Sequence, residues 1–579
     1  MLPVSFDGCC GWLHPGVKDY GVVLCSPEGH EQLCAHNVWI NFAEEIAGAS
    51  FPTLRFDYAC TGDSIGDDES LGRIRGWTDS VIAAVRWMRN EIGVKAVALV
   101  GLRLGATLAL TAAKELGDVD ALVLIAPVLS WKSYLRELRA RMKFERDRAE
   151  AFNWWRPSQD RKAWSGKPEA GGEEILGFVY PEEIKTEFDK LEIVNVSARP
   201  APRILILKLG LKIEDRLAAK FRQLGAEVFE TVFSGFANLL SSPFLAEYPR
   251  ADFDAVVQWL EPSPAPQGKA RLPSFNDVKV RLPASIEEPI FFGENASAFG
   301  IVNRPNRMRP GAPVLLFLPT WKVSHVGTGR MWVAMSRYFA QLGLLSLRFD
   351  LPGIKDSPPS NAYRSEDEFI KHTVAPSVDE AMRAIDWLQS DGHKDVVIVG
   401  QCWGALLAKA VSLRDKRVKA QILINLPFLT FDTEMTVQRY IGMVLSPQIW
   451  LHFLRGEIAF SSIINRFGEA PSMLKSYLQS KAKGSGFGAR EVNELMKLKI
   501  PTLLAYGGAE SGLYVCQQSD RIKKNENIQV EAFERADHVF YQRLERVQLR
   551  TRIEKFLMLH FKELEATLKG STLLSVERA

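Results

Sequence analysis

The sequence predicts an α/β architecture in two tandem copies, each a mostly parallel sheet with helices on both faces and a helical cap insertion. Three observations carry that expectation. The chain repeats itself at a nearly constant spacing. Each repeat alternates short aliphatic or β-branched runs with amphipathic stretches. Each also holds one strand–turn–helix unit flanked by glycines.

The repeat is explicit. LRFDYACTGDS starts at residue 54 and LRFDLPGIKDS at residue 347, 293 residues apart. VALVGLRLGATLALT (97–111) matches VVIVGQCWGALLAKA (396–410), with Arg103 opposite Cys402 at a spacing of 299. Trp87 and Trp387, and Pro127 and Pro427, each lie 300 apart. A nearly constant spacing over four segments means a duplicated domain. The 579 residues are also too many for a single core. Between the copies, LEPSPAPQGKARLPS (260–274) is rich in Pro, Ser and Gly and suits an exposed linker. The expected organisation is a first domain over 1–262, a linker over 263–282 and a second domain over 283–579.

Within the second copy PVLLFLP reads as a strand, GRMWVAMSRYFAQLG as a helix and LLSLRFD as a strand. The helix holding Trp387 follows, then the strand VVIVG, the helix after Cys402, and the strands AQILIN and IPTLLAYG. Insertions at about 128–200 and 428–495 read as helical caps rich in aromatics: Trp131, Trp154, Trp155 and Trp164 in the first, Trp450, Phe453, Phe460 and Phe467 in the second. They either line a hydrophobic pocket or bury the cap on the sheet. Arginines in KSYLRELRARMKFERDR are interleaved with acids, which suits a solvated helix better than a nucleic-acid surface.

Composition excludes several classes. Hydrophobic residues make up 46% and charged residues 24%, and the formal net charge is +3, so nothing calls for nucleic acid or an anionic membrane. Seven cysteines, an odd number without CxxC spacing, argue against a disulfide framework or a metal site. No basic region with an apolar run opens the chain, and no apolar stretch is long enough to span a membrane. The expectation is a cytoplasmic protein without metal or cofactor, with homo-oligomerisation left open.

The chemistry concentrates at residue 402. Gly400 and Gly404 allow a sharp turn that lifts Cys402 out of the sheet. The start of the following helix favours the thiolate. The alternative is a small buried hydrophobic residue, a common fate of free cysteine. The strand–GxCxG–helix pattern, the LRFD segment with its DS ending and the strand order resemble the α/β-hydrolase fold, with Cys in place of Ser in the nucleophile elbow. Both halves look like the small α/β-hydrolases associated with exosortase gene clusters, here fused.

That resemblance implies a triad in the chain order nucleophile, acid, histidine. His538, in VEAFERADHVFYQRL, falls at the histidine position, and Glu510, in YGGAESG, is the best-placed acid, with Asp520 and Asp537 as rivals. The oxyanion hole then comes from the backbone N–H of Trp403 and that of Thr320 or Trp321. His325 either contacts substrate or makes a structural hydrogen bond. Arg348, Asp350 and Asp356, with Arg55, Asp57 and Asp63 as their counterparts, read as a charged turn that stabilises its own loop. Lys355 stands where the resemblance implies glycine.

In the first copy Arg103 holds the apex and cannot act as a nucleophile. Asn238 takes the histidine position, and Leu211, Glu214 and Asp215 near the acid position offer no clear choice. This copy reads as catalytically silent. Arg103 either binds an anionic group or pairs with a nearby carboxylate. Cysteine elbows also occur in polyhydroxyalkanoate synthases, dienelactone hydrolases and cyclising thioesterase domains, which this layout is similar to. The resemblance therefore implies an acyltransferase or thioesterase working through a Cys402 thioester. Its acyl donor would be an acyl-carrier protein, a coenzyme A thioester or an ester. A carboxylester or lactone hydrolase and a non-catalytic scaffold are the alternatives.

Overall fold

The computed structural model describes residues 1–67, 70–152, 172–191, 193–241, 243, 246–261, 269–271, 278–320, 323–358, 374–427, 489–508, 513, 516–517 and 519–565. Glu510, Trp321, Trp154, Trp155, Trp164, Trp450, Phe453, Phe460, Phe467 and most of 263–282 lie outside the described residues. The chain divides into two compact units, one of 1–137, 167–307 and 322–362, the other of 138–166, 308–321 and 363–579. The units do not follow the repeat, because parts of the second copy belong to the first unit.

The first copy contains β1 (Leu2–Phe6), β2 (Cys9–His14), β3 (Tyr20–Cys25), β4 (Thr53–Phe56), β5 (Ala96–Leu102), β6 (Ala121–Ile125), β7 (Glu173–Ile175), β8 (Phe178–Tyr180), β9 (Arg203–Lys208) and β10 (Glu227–Val232). Eight of these form a sheet in the order β1-β2-β4-β3-β5-β6-β9-β10, while β7 and β8 make a separate hairpin. Within that sheet β1–β2 and β2–β4 pair antiparallel and the other strands pair parallel. β3 and β6 are continuous buried apolar runs, as strands covered on both faces must be. The strand order reverses at β3, and such a switch point opens a crevice at the carboxyl ends of the strands. The turn after β5 sits at that reversal.

The second copy repeats this plan with one short strand added at the edge. Its strands are β11 (Val280–Arg281), β12 (Ser285–Phe292), β13 (Ala298–Pro305), β14 (Val314–Phe317), β15 (Ser346–Phe349), β16 (Val396–Gln401), β17 (Val418–Ile424), β18 (Thr502–Gly507) and β19 (Ile528–Phe533). The first unit supplies β11-β12-β13-β15, all antiparallel. The second supplies β14-β16-β17-β18-β19, all parallel. Two sheets of eight and nine strands in matching order are the tandem α/β-hydrolase fold that the repeat predicts. Among the described residues no helix is long and apolar enough to cross a membrane.

The repeat extends to individual hydrogen bonds. Asp57 accepts from the backbone N–H of Asp63 at 3.0 Å, and Asp350 from that of Asp356 at 3.3 Å. Ser64 donates to the Asp57 carbonyl at 2.6 Å, and Ser357 to that of Asp350 at 2.8 Å. Each serine also accepts from the adjoining strand, from Cys10 N–H or Phe299 N–H, both at 2.9 Å. An aspartate folding the loop and a serine tying it to the sheet explain why the sequence keeps both residues in both copies.

The arginine and second aspartate of each motif do something else. Within the first unit, Arg55 of the first copy donates to Asp356 of the second at 2.7 Å, while Arg348 of the second pairs with Asp63 of the first. Arg348 also holds Glu287 at 2.8 Å, and Arg337 reaches the same carboxylate at 2.6 Å. His325 lies between Asp350, 2.8 Å from Nδ1, and Asp63, 2.7 Å from Nε2. The charged turn expected to stabilise its own loop is thus half local and half exchanged between copies. Trp12 completes the contact, packing on Phe299 with ring centroids 4.5 Å apart.

Burial opposes charge here, yet the partners win. Despite desolvation, Arg348 and His325 hold Asp63 well below the usual carboxylate range. Burial likewise opposes the His325 imidazolium, but Asp350 and Asp63 raise its pKa well above the ordinary value. Asp63, Asp350, Asp356 and Glu287 face Arg55, Arg337, Arg348 and His325. Each of these four carboxylates faces at least one cationic group when the imidazole is protonated.

Candidate active site

Both copies build the same elbow. The apex residues Arg103 and Cys402 have φ/ψ of 56/−121° and 52/−114°, backbone that non-glycine residues rarely adopt. Each precedes a helix, Leu104–Leu116 or Trp403–Ser412. The apex N–H donates to the neighbouring strand, at 2.9 Å from Arg103 to Ile125 and 2.8 Å from Cys402 to Ile424. A Cβ on Gly400 would stand 2.1 Å from the Gly404 carbonyl, and one on Gly404 would stand 2.9 Å from the Pro319 carbonyl. Only glycine lets the helix approach so closely, and the strained apex, worth about 1–3 kcal/mol, is held by that packing.

In the second unit several expected site residues fall close together. Cys402 and Trp403 are half-buried at the start of their helix, where backbone N–H groups are unsatisfied by the helix itself. Thr320 is buried, and its hydroxyl donates to the Gln401 carbonyl at 3.2 Å, which sets the loop after β14 beside the elbow. The His538 loop is held there as well. Its carbonyl accepts from Gln401 Nε2 at 3.2 Å and from Asn425 Nδ2 at 2.7 Å. Among the rival acids, Asp520 is exposed. Asp537 spends Oδ1 on the N–H groups of Val539 and Tyr541, at 3.2 and 2.9 Å.

Sequence reasoning missed Gln401 and Asn425. Comparing the copies position by position around the apex, rather than only at the triad, would have found them. The preceding residue is Leu102 in one copy and Gln401 in the other. The residue after the next strand is Ala126 (φ 46°) in one and Asn425 (φ 49°) in the other.

The first copy's apex is filled from within. Arg103, 3% exposed, donates to Glu31 at 2.9 Å and pairs with Glu137. Tyr134 also donates to Glu31, at 3.2 Å, and the guanidinium lies over the rings of Tyr134 and Phe236 at 5.4 and 5.2 Å. Of the two readings of Arg103, this geometry favours pairing with carboxylates over anion capture. Asn238 donates to Glu247 at 2.8 Å, and buried Glu214 accepts from Leu209 and Leu211 N–H at 3.1 and 2.7 Å.

His325, Asp350 and Asp356 bring ligand-type atoms within 4.8 Å of one another. Their atoms are committed elsewhere: His325 to Asp350 and Asp63, and Asp356 to Arg55. A guanidinium 2.7 Å from the Asp356 carboxylate repels any added cation. The cluster therefore does not fit a metal.

Residues 313–441 match the family model described as the α/β hydrolase fold. The human protein ABHD12B is 29% identical over 123 residues, 21% of this chain and 33% of that protein, so the chain spans about a third of the length of that curated relative. Among solved structures, the chain is similar to a proline iminopeptidase from Mycobacterium smegmatis, at 17% identity and a TM-score of 0.32 over 48% of this chain and 99% of that one. It is also similar to mouse α/β hydrolase domain-containing protein 10, at 18% identity and a TM-score of 0.30 over 47% and 99%. A Pyrococcus furiosus esterase gives 15% identity and a TM-score of 0.32 over 47% and 91%. With the elbow, the switch-point topology and the matched segment on one stretch of chain, the fold is that of the α/β hydrolases.

Proposed function

We propose that the second copy is an acyl-transfer enzyme working through a thioester on Cys402. The observation that carries this reading is that the strained apex holds a thiol, Cys402, with the His538 loop hydrogen-bonded to the adjoining Gln401, whereas the same apex in the first copy holds Arg103. Cys402 attacks the carbonyl carbon of an acyl thioester or ester while His538 takes the thiol proton. The tetrahedral oxyanion is met by the Trp403 N–H and one from Thr320 or Trp321. Collapse expels the thiol or alcohol, protonated by His538, and leaves the acyl group on sulfur. Glu510 orients His538 and stabilises its imidazolium.

A second nucleophile then takes the acyl group. The acceptor is an amine, alcohol, thiol or water, and a thioester favours aminolysis over hydrolysis more than an oxyester does, which makes an acyltransferase or thioesterase on carrier-bound acyl groups the leading assignment. Water as acceptor gives a carboxylester or lactone hydrolase, the coarser activity that the fold suggests. In this reading the domain over 1–262 is a silent partner to that over 283–579, with Arg103 in place of the apex nucleophile and Asn238 in place of the histidine. Intact-mass measurement after incubation with an activated ester or a short acyl thioester tests the proposal. An added acyl mass that disappears in Cys402→Ala supports it. No adduct on the wild type, or an equal adduct on the variant, refutes it and leaves the scaffold reading.

A further inference from the structure

The His538 loop is gripped by groups that are not part of any triad. Gln401, immediately before the apex and buried, donates Nε2 to the His538 carbonyl at 3.2 Å. Asn425, also buried, donates Nδ2 to the same oxygen at 2.7 Å and accepts the Gly507 N–H on Oδ1 at 2.8 Å. Gly507 closes β18, three residues before Glu510. A Cβ there would stand 2.7 Å from the Ala536 carbonyl and 2.9 Å from that of Asp537. Two side-chain amides and one missing side chain thus tie together the three segments that carry nucleophile, acid and histidine.

The first copy supplies the control. Its β5, β6 and β9 pair in parallel as β16, β17 and β18 do. Yet Leu102 stands for Gln401 and Ala126 for Asn425. Ala126 keeps the positive φ, 46° against 49°, so the backbone form survives where the amide is gone. Ile125 pairs with Leu207 as Ile424 pairs with Ala505, which puts Leu209 in the place of Gly507. A leucine there has the side chain that the His538 loop could not accept. The copy with Arg103 at the apex and Asn238 at the histidine position lacks all three elements of the grip, whereas the fold-forming bonds of Asp57 and Ser64 persist beside those of Asp350 and Ser357.

We propose that Gln401 and Asn425 are positioning residues that fix His538 relative to Cys402, with Gly507 making room for the loop they hold. The proposal rests on the Cys402–His538 reading above. The amides act through the backbone oxygen of His538 rather than through its imidazole. A displacement of the imidazole by about 1 Å is enough to cost roughly a hundredfold in rate.

The test uses the full chain with iodoacetamide as probe and the mass of the Cys402 peptide as readout, from pH 5 to 10. The variants are Gln401→Leu, Asn425→Ala, their double and His538→Ala. The first two install residues that the first copy accommodates at the same backbone positions. The expected result is that the double variant shifts the pH profile of alkylation in the same direction as His538→Ala, with the urea midpoint close to wild type. With an acyl substrate, kcat falls about 10- to 100-fold while KM moves less than about twofold. Gln401→Asn and Asn425→Asp provide the finer reading. Asp keeps the acceptor for Gly507 N–H but loses the donor to His538, so it behaves like Ala, while Asn in place of Gln partly restores the profile. A wild-type profile in the double variant alongside a shifted one in His538→Ala overturns the positioning role alone. A wild-type profile in His538→Ala overturns the triad reading, and the positioning role with it.

Discussion

Arg55 Nη2 lies 2.7 Å from Asp356 Oδ1, and the equivalent arginine and aspartate, Arg348 and Asp63, form the same pair with the copies exchanged. Arg348 is fully buried and Asp356 and Glu287 nearly so. Buried pairs of this kind add little beyond well-packed apolar residues, but removing one member strands the other charge. Arg348→Leu leaves Asp63 with only His325 and Glu287 with only Arg337. We expect a loss of about 3–5 kcal/mol, read as a fall in the urea midpoint. Replacing Asp63 as well, by Leu, should recover part of that loss. A single variant as stable as wild type would contradict the pairing.

The same cluster predicts a pH dependence at its basic end. His325 binds its proton more tightly folded than unfolded, where its value is near 6.5. Its contribution is therefore complete below about pH 6.5 and is lost as the pH rises through the raised folded value. The slope is up to about 1.4 kcal/mol per pH unit. Asp63 and Asp356 are depressed, so their contributions are complete above about pH 4 and are lost as the pH falls. His325→Gln should flatten the alkaline limb of a stability–pH curve and leave the acid limb. Parallel curves for variant and wild type would show that His325 is not an imidazolium in the fold.

Lys355 marks a local cost. It sits at φ 51°, where its counterpart Gly62 sits at 46°. Glycine takes that conformation freely, whereas a lysine is strained by an amount near 1 kcal/mol. Lys355→Gly should raise stability by about 0.5–1 kcal/mol, with the unfolded glycine's extra entropy offsetting part of the gain. A thermal melt at neutral pH checks the sign, and a lower melting temperature would mean that the interactions of the lysine side chain outweigh the strain.

How much of this was legible from the chain depended on whether a local or a long-range relation was being read. Strand and helix alternation, the duplication and the elbow are encoded within windows of about fifteen residues, and the sheets repeat them in order. Asp57 was legible as loop-forming because its partner, the Asp63 N–H, lies in the same motif, whereas the tie that Ser64 makes to Cys10, 54 residues away, was not. Arg55 and Arg348 were not, since their partners are 301 and 285 residues away and no local pattern distinguishes a self-contained turn from an exchanged one. Arg103 shows the same limit. Its sequence position leaves anion binding and pairing with a carboxylate both open, and the sequence does not name the partners, because Glu31 and Glu137 come from other elements, 72 and 34 residues distant.

Restoring the two lost side chains should not revive the first copy. Arg103→Cys with Asn238→His, made on a Cys402→Ala background, puts a thiol at the apex and an imidazole downstream. Glu31, freed of its 2.9 Å bond to Arg103, would then be a buried acid beside the thiol and would disfavour the thiolate. Leu102 and Ala126 offer no amide to hold the new histidine, and Leu209 stands where Gly507 leaves room. The expected outcome is no acyl adduct on the residue-103 peptide under conditions that label Cys402 in the wild type. Labelling within about tenfold of the Cys402 rate would show that apex and histidine suffice, and that the amides and the glycine are packing rather than positioning.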